Sequence, residues 1–172
     1  AANYVRRARG ESAPATLSRQ IPVLMYHRVV SGEGGALSRY CLDPRAFDEQ
    51  LASLRNAGYR SISLRELRDA LHFRRPLAGK PVMLTFDDGT VDFATTAWPL
   101  LKRHGFGGVL FVVGDLVGTT NVWDAGFGTS VELLGWGPLA RLAADGVEIG
   151  AHSATHPFLT ALDNVEIVVE AS

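Results

Sequence analysis

The sequence predicts an α/β fold, with a parallel sheet flanked by helices and one strand–helix cadence repeated along the chain. Three observations carry this reading. Short apolar, β-branched runs alternate with segments whose apolar residues recur at helical spacing. Glycines close the helical segments, at Gly58, Gly105 and Gly146. The polar punctuation, His27, Asp87-Asp88 and His152, falls at the C-terminal ends of predicted strands. That edge is where barrels and open α/β sheets build their sites.

Residues 1–20, rich in Ala, Arg and Ser, read as a flexible N-terminal arm, and 21–172 as a single domain. Residues 21–26 form an apolar run that reads as a buried strand ending at His27, and 32–35 as a Gly-rich loop. Pro44 opens a helix in which Phe47, Leu51 and Leu54 share one face and Gly58 ends the pattern. A short strand over 59–62 precedes a helix over 64–73. The next strand, 80–86, ends in Asp87-Asp88-Gly89, and a helix over 91–104 closes at Gly105. Residues 108–113 read as another buried strand. A long Gly/Thr-rich loop over 114–134 follows, carrying Trp123 and Asp124. A helix over 138–144 stops at Gly146, and a strand over 147–151 leads into His152. The tail from Leu159 reads as helical, although residues 165–169 are rich in β-branched side chains that favour strands.

At 172 residues the chain fits one domain with a sizeable core and leaves little room for a second. A formal net charge of −1 gives no electrostatic reason to expect nucleic acid or an anionic membrane as partner. Cys41 is the single cysteine, which excludes an internal disulfide and a Cys-based zinc site. No apolar stretch approaches the ~20 residues of a membrane span. Residues 1–20 lack the hydrophobic centre of a signal peptide.

The chemistry concentrates in two clusters, Thr85-Phe86-Asp87-Asp88-Gly89 and His152-Ser153-Ala154-Thr155-His156. Successive strand residues point to opposite faces, so adjacent carboxylates share a task only where the chain turns, as a following Gly permits. The alternative for Asp88 is a cap on the helix that begins near 91. His152 and His156, four residues apart, put two imidazoles on one side of a helical turn or tight loop. Together the clusters supply three ligands, Asp88, His152 and His156, for a divalent ion with positions left for water and substrate. Asp87 remains as a general base, since hydrolysis at a metal needs a base that is not itself a ligand. Amide cleavage also requires protonation of the departing nitrogen, and His27 is the candidate acid. His72 and His104 lie in helix C-terminal turns, where the helix dipole accounts for them.

These two clusters resemble the first two motifs of the polysaccharide deacetylases, the NodB-like family or carbohydrate esterase family 4. The opening 21–29, Ile-Pro-Val-Leu-Met-Tyr-His-Arg-Val, is similar to the branch that includes exported poly-N-acetylglucosamine deacetylases. The resemblance runs over residues 20–172. It implies a deformed (β/α) barrel and a metal-dependent hydrolase that removes N-acetyl groups from an acetylated polysaccharide, most readily an N-acetylglucosamine polymer. By motif position it makes Asp87 the base, Asp88, His152 and His156 the metal ligands, and His27 the acid. It implies zinc as the ion, with iron, cobalt or nickel also compatible with the ligand set. It further implies export to the periplasm, cell surface or medium, in cell-wall or biofilm metabolism. Family members also carry later strands and an Arg- or Tyr-Pro-Tyr-type motif that nothing after His156 matches. The expectation is therefore a barrel incomplete at its C-terminal side.

Two other readings stay open: a catalytically incompetent metal- or carbohydrate-binding fragment, and an acetyl esterase acting on acetylated xylan. A glycoside hydrolase fits poorly, because paired histidines have no part in its two-carboxylate chemistry. A non-haem iron oxygenase shares the ligand types but not the scaffold read here.

Overall fold

A computed structural model describes residues 21–32, 37–127 and 130–172. The predicted arm at 1–20 and residues 33–35 of the predicted loop lie outside the described residues. Strands β1 (Val23–Tyr26), β4 (Tyr59–Ser61), β5 (Lys80–Phe86), β6 (Val109–Val112) and β7 (Glu148–Ala151) form one parallel sheet. Its order is β1-β5-β6-β7, with β4 alongside the first half of β5. Two residue pairs too short for a periodic signal, β2 (Arg28–Val29) and β3 (Cys41–Leu42), form a separate parallel ladder. The predicted α/β class and parallel sheet are therefore present. Among the described residues no pairing joins β7 to β1, and no barrel closure is seen.

β5 is the centre. Val82 to Phe86 are all buried, which suits a strand covered on both faces. Val82, Leu84 and Phe86 belong to a core cluster with Phe47 and Leu51 of α1 (Pro44–Asn56) and Leu101 of α3 (Trp98–His104). In β1 only alternate residues share that core. Leu24 and Tyr26 pack against it, while Val23 and Met25 are 53% and 62% exposed.

The helices start where the sequence signals them. Asp43 caps α1, accepting from the Arg45 N–H at 2.9 Å, with Pro44 in the first turn. Ser63 and Glu66 form a reciprocal capping box on α2 (Leu64–His72). Asp163 and Glu166 do the same on α5 (Asn164–Glu170), which fixes as helix a segment whose β-branched residues argued for strand. α4 (Trp136–Ala144) begins two residues before the predicted start.

The helix expected over 91–104 is a continuous coil of two kinds. Phe93–Ala97 is a π-helical turn and only Trp98–His104 is a regular α-helix. Pro99 supplies the reason. It has no N–H to give the Thr95 carbonyl and its ring crowds that carbonyl, which suits a wider turn in which the Trp98 N–H bonds to Phe93 O.

Candidate metal centre

Three strand ends converge on the site. His27 follows β1, Asp87 and Asp88 follow β5, and His152 follows β7. His27 and Asp87 each come one residue after the last register pair, Tyr26↔Phe86, and the Asp87 N–H donates to Tyr26 O at 3.0 Å. His27 is steadied from its other side as well. Asp92 accepts from the Val29 N–H at 2.7 Å and pairs with Arg28 at 3.4 Å.

The turn at Asp88 is strained in a useful way. Asp88 takes a left-handed φ of +73°, a conformation that costs a non-Gly residue about 1–3 kcal/mol. Gly89 follows at +75°, and a Cβ there would meet Val112 Cγ1 at 2.9 Å. Only glycine fits both the angle and the space, so the turn presses against β6 and aims the Asp88 carboxylate at the histidines.

His152 and His156 do not lie on a helix. They bracket a tight loop in which Ser153 and His156 adopt φ of +59° and +64°. The His156 N–H donates to Ser153 Oγ at 3.0 Å and closes the loop. Their Nε2 atoms lie 3.6 Å (His152) and 3.4 Å (His156) from Asp88 Oδ1, and all three donor atoms fall within 4.8 Å of one another. Tetrahedral bonds of 2.0–2.2 Å to a shared ion put donors about 3.4 Å apart.

Asp88 Oδ1 is buried and has no hydrogen-bond partner. Such an orphan costs about 1–3 kcal/mol, more if charged, unless something absent from the chain itself satisfies it. Burial pushes the Asp88 carboxyl above the usual carboxylate range, opposed by the imidazoles of His27, His156 and His152. Burial likewise lowers the His156 imidazole, and a neutral imidazole is the form that ligates. The donor set, its spacing and the unsatisfied oxygen all fit a divalent cation. A helix cap does not account for that oxygen, which bonds to no helix N–H.

Beside these three residues lies a cavity of about 370 Å³ lined by His27, Asp88, Tyr40, Trp123, His156 and Phe158, among others. The Trp123 ring lies 4.4 Å from that of His156, and the Tyr40 ring 5.1 Å from that of His27. Phe158 is 87% exposed at the rim. Asp87 is 8% exposed and does not line the cavity.

Trp123 comes from the long loop, which is better organised than its composition predicts. Asn121, 5% exposed, accepts from the Val131 N–H at 2.6 Å and donates to Asp124 at 3.0 Å. The loop is tied to the Asp88 turn by Leu134 N–H to Gly89 O at 2.8 Å and Val91 N–H to Glu132 O at 3.1 Å. Sequence reading marked Trp123 only as a loop residue and passed over Tyr40 and Phe158. Their role depends on distant segments meeting, which no local pattern encodes.

Residues 74–172 match the polysaccharide deacetylase family. The chain belongs to that family. Over 74 residues it is 40% identical to the poly-beta-1,6-N-acetyl-D-glucosamine N-deacetylase of Escherichia coli K12, covering 43% of this chain and 11% of that protein. The Streptococcus pyogenes deacetylase PplD, solved in complex with acetate, superposes with a TM-score of 0.70 and 26% identity, over 87% of this chain and 63% of that one. IcaB from Ammonifex degensii gives 0.67 and 31%, over 85% and 57%. The match spans only 11% of that Escherichia coli protein, and a second match, 29% identical over 99 residues, spans 34% of the putative polysaccharide deacetylase YxkH of Bacillus subtilis strain 168. The fold is that of the family's solved members, a mixed α/β architecture with a mainly parallel sheet. Among the described residues no helix is long and apolar enough to cross a membrane.

Proposed function

We propose that this polysaccharide deacetylase domain removes N-acetyl groups from an N-acetylglucosamine polymer, with a divalent ion, zinc by preference, held by Asp88, His152 and His156. The single observation that carries the reading is the buried, unbonded Asp88 Oδ1 at ligand distance from two imidazole nitrogens. A divalent ion bound there supplies a Lewis acid for an acyl oxygen and acidifies water.

The chain's own residues do the rest. Asp87 is the carboxylate left free of ligation, and it takes the proton that the attacking water loses. His27 lines the same cavity as Asp88 and His156 and delivers a proton to the departing amide nitrogen. The cavity's exposed aromatic rim gives a pyranose ring apolar faces to lie against. A polymer of this kind is met outside the cytoplasm, so the proposal carries an exported location with it.

The test uses the 172-residue chain itself. Elemental analysis should find one equivalent of a divalent metal. Acetylated glucosamine oligomers should release acetate in a reaction that a chelator stops and zinc restores. Metal uptake without acetate release would leave a binding domain instead. Faster release from acetylated xylan than from the glucosamine oligomer would move the assignment to ester cleavage.

A further inference from the structure

The loop that bears His152 and His156 is partly exposed and holds two non-Gly residues in left-handed conformations, so something outside it must keep it from relaxing. Main-chain bonds from Gly114 and Asp115 to Ser153 O and Ala154 O, at 3.0 and 2.9 Å, grip one side. The other side is gripped by one residue of α5. Glu170 Oε2 accepts from the Thr155 N–H at 2.8 Å, and Glu170 Oε1 from the Thr155 hydroxyl at 2.7 Å. The Glu170 carbonyl also accepts from the Ala154 N–H at 3.0 Å.

The placement of this carboxylate is informative. Glu170 is the last residue of α5, the end at which the helix dipole disfavours an anion. A position that is unfavourable for the helix is explained by what the side chain does across the gap. It spans the middle of the His-x-x-x-His loop with both oxygens. The two bonds to Thr155 also hold the Glu170 carboxyl below the usual carboxylate range, so it accepts as an anion at neutral pH.

We infer that Glu170 is a positioning residue for the metal centre, a carboxylate hook that fixes the loop through Thr155 and thereby sets where the His152 and His156 imidazoles point. The inference rests on the reading of Asp88, His152 and His156 as an ion site. It adds a residue that touches neither ion nor substrate. Partners behind the ligands commonly change metal affinity by 10–100-fold when removed. Glu170 acts one residue further out, which puts its effect near the lower end.

Cobalt(II) is a suitable probe, because its visible absorption reports both affinity and ligand geometry. With the whole chain, Glu170→Ala should weaken cobalt binding by about tenfold and alter the band shape. Glu170→Gln should recover much of the loss, since its carboxamide can accept from the Thr155 N–H and donate to the hydroxyl. A second measurement needs no ion. In the metal-free protein, amide exchange at His156, whose N–H bonds inside the loop, should quicken in Glu170→Ala while the α3 amides keep their rates. Wild-type cobalt affinity in Glu170→Ala overturns the inference, whether or not exchange changes. So does Glu170→Gln behaving like Glu170→Ala. Should the wild-type chain take up no cobalt, the ion-site reading falls instead, and exchange at His156 still decides whether Glu170 holds the loop.

Discussion

Asp88 and the two histidines meet at one point but are held there in opposite ways. The Asp88 turn leaves the middle strand of the sheet and is stitched on both sides by main-chain bonds. The Asp87 N–H reaches Tyr26 O, Leu134 reaches Gly89 O, and Thr90 bridges to Leu133. The His152 loop leaves β7, at the sheet's edge, and its outer side is held by Glu170, through its carboxylate and its main-chain carbonyl. The difference teaches where each part of the centre draws its rigidity. The Asp88 turn is fixed by the core, and its geometry should survive most surface changes. The imidazole loop is held between the Gly114–Asp115 main chain and α5, so its order depends in part on how α5 docks.

The two adjacent carboxylates give the largest expected effects and test the core-held half. Asp88→Ala should abolish stoichiometric metal binding and, with it, acetate release, read by elemental analysis beside an acetate assay. Asp87→Asn should lower turnover by at least about 100-fold while the metal content stays at the wild-type level, the signature of a lost base. The opposite pattern, metal lost with Asp87 and kept without Asp88, would exchange the two roles and break the comparison at its root.

His27 comes next. Its replacement by Ala should slow amide cleavage by about 100-fold and hydrolysis of an activated acetate ester by far less. An amide nitrogen must be protonated to leave, whereas a good ester leaving group need not be. Equal losses on the two substrates would remove His27 as the acid and leave it a ring packed near Tyr40.

The residues of the candidate site were legible in the sequence, the contrast between its two halves was not, and the reasons are physical. Asp87, Asp88, His152 and His156 stand out because each cluster is local and each follows an apolar run. The starts of α1 at Pro44 and of α2 at Leu64 were equally plain, although the caps by Asp43 and Ser63 were not read. The π-helical turn was not read, although Pro99 lay in view, because a hydrophobic pattern averages over the slip of one bond. The latch of Asn121 onto Val131, the ring of Trp123 over His156, and the hook from Glu170 to Thr155 join segments that share no local pattern. Each of these is a tertiary contact, and each lies around the ligands rather than among them.

The glycines on the core-held side allow a smaller, cleaner test. Gly89 and Gly105 have nearly the same left-handed φ, +75° and +74°, but a Cβ at Gly105 would meet nothing within 4 Å. Gly105→Ala should therefore cost about 1 kcal/mol, from backbone strain alone. Gly89→Ala adds the collision with Val112 and should cost about 2–4 kcal/mol, read as a shift in denaturant midpoint. It should also weaken metal binding, which Gly105→Ala should not. Equal costs at the two sites would mean that the Asp88 turn can move off β6, and the contrast between a rigid and a tethered half would lose its firmer side.

The smallest effect is expected from acid, and it should appear on the tethered side first. Glu170 has its carboxyl lowered, first by the bond from the Thr155 hydroxyl and then by the bond from the Thr155 N–H. A folded-state value below the unfolded one means that the stabilisation is complete above the ordinary glutamate range. It is lost as pH falls through the depressed folded value. In the metal-free protein the Thr155 amide resonance should therefore titrate with a midpoint below that of an unfolded-chain glutamate. The Glu170→Gln variant should lack this step. The amides of Gly89 and Leu134, whose partners are main-chain groups, should show no step of that origin. Asp43, Asp48, Glu66, Asp69 and Asp145 also have lowered carboxyls, but the bonds that lower them go to residues outside this loop. A Thr155 midpoint at or above the ordinary glutamate value would show that the hook is open in solution. The His152 loop would then owe its shape to the Gly114 and Asp115 side alone.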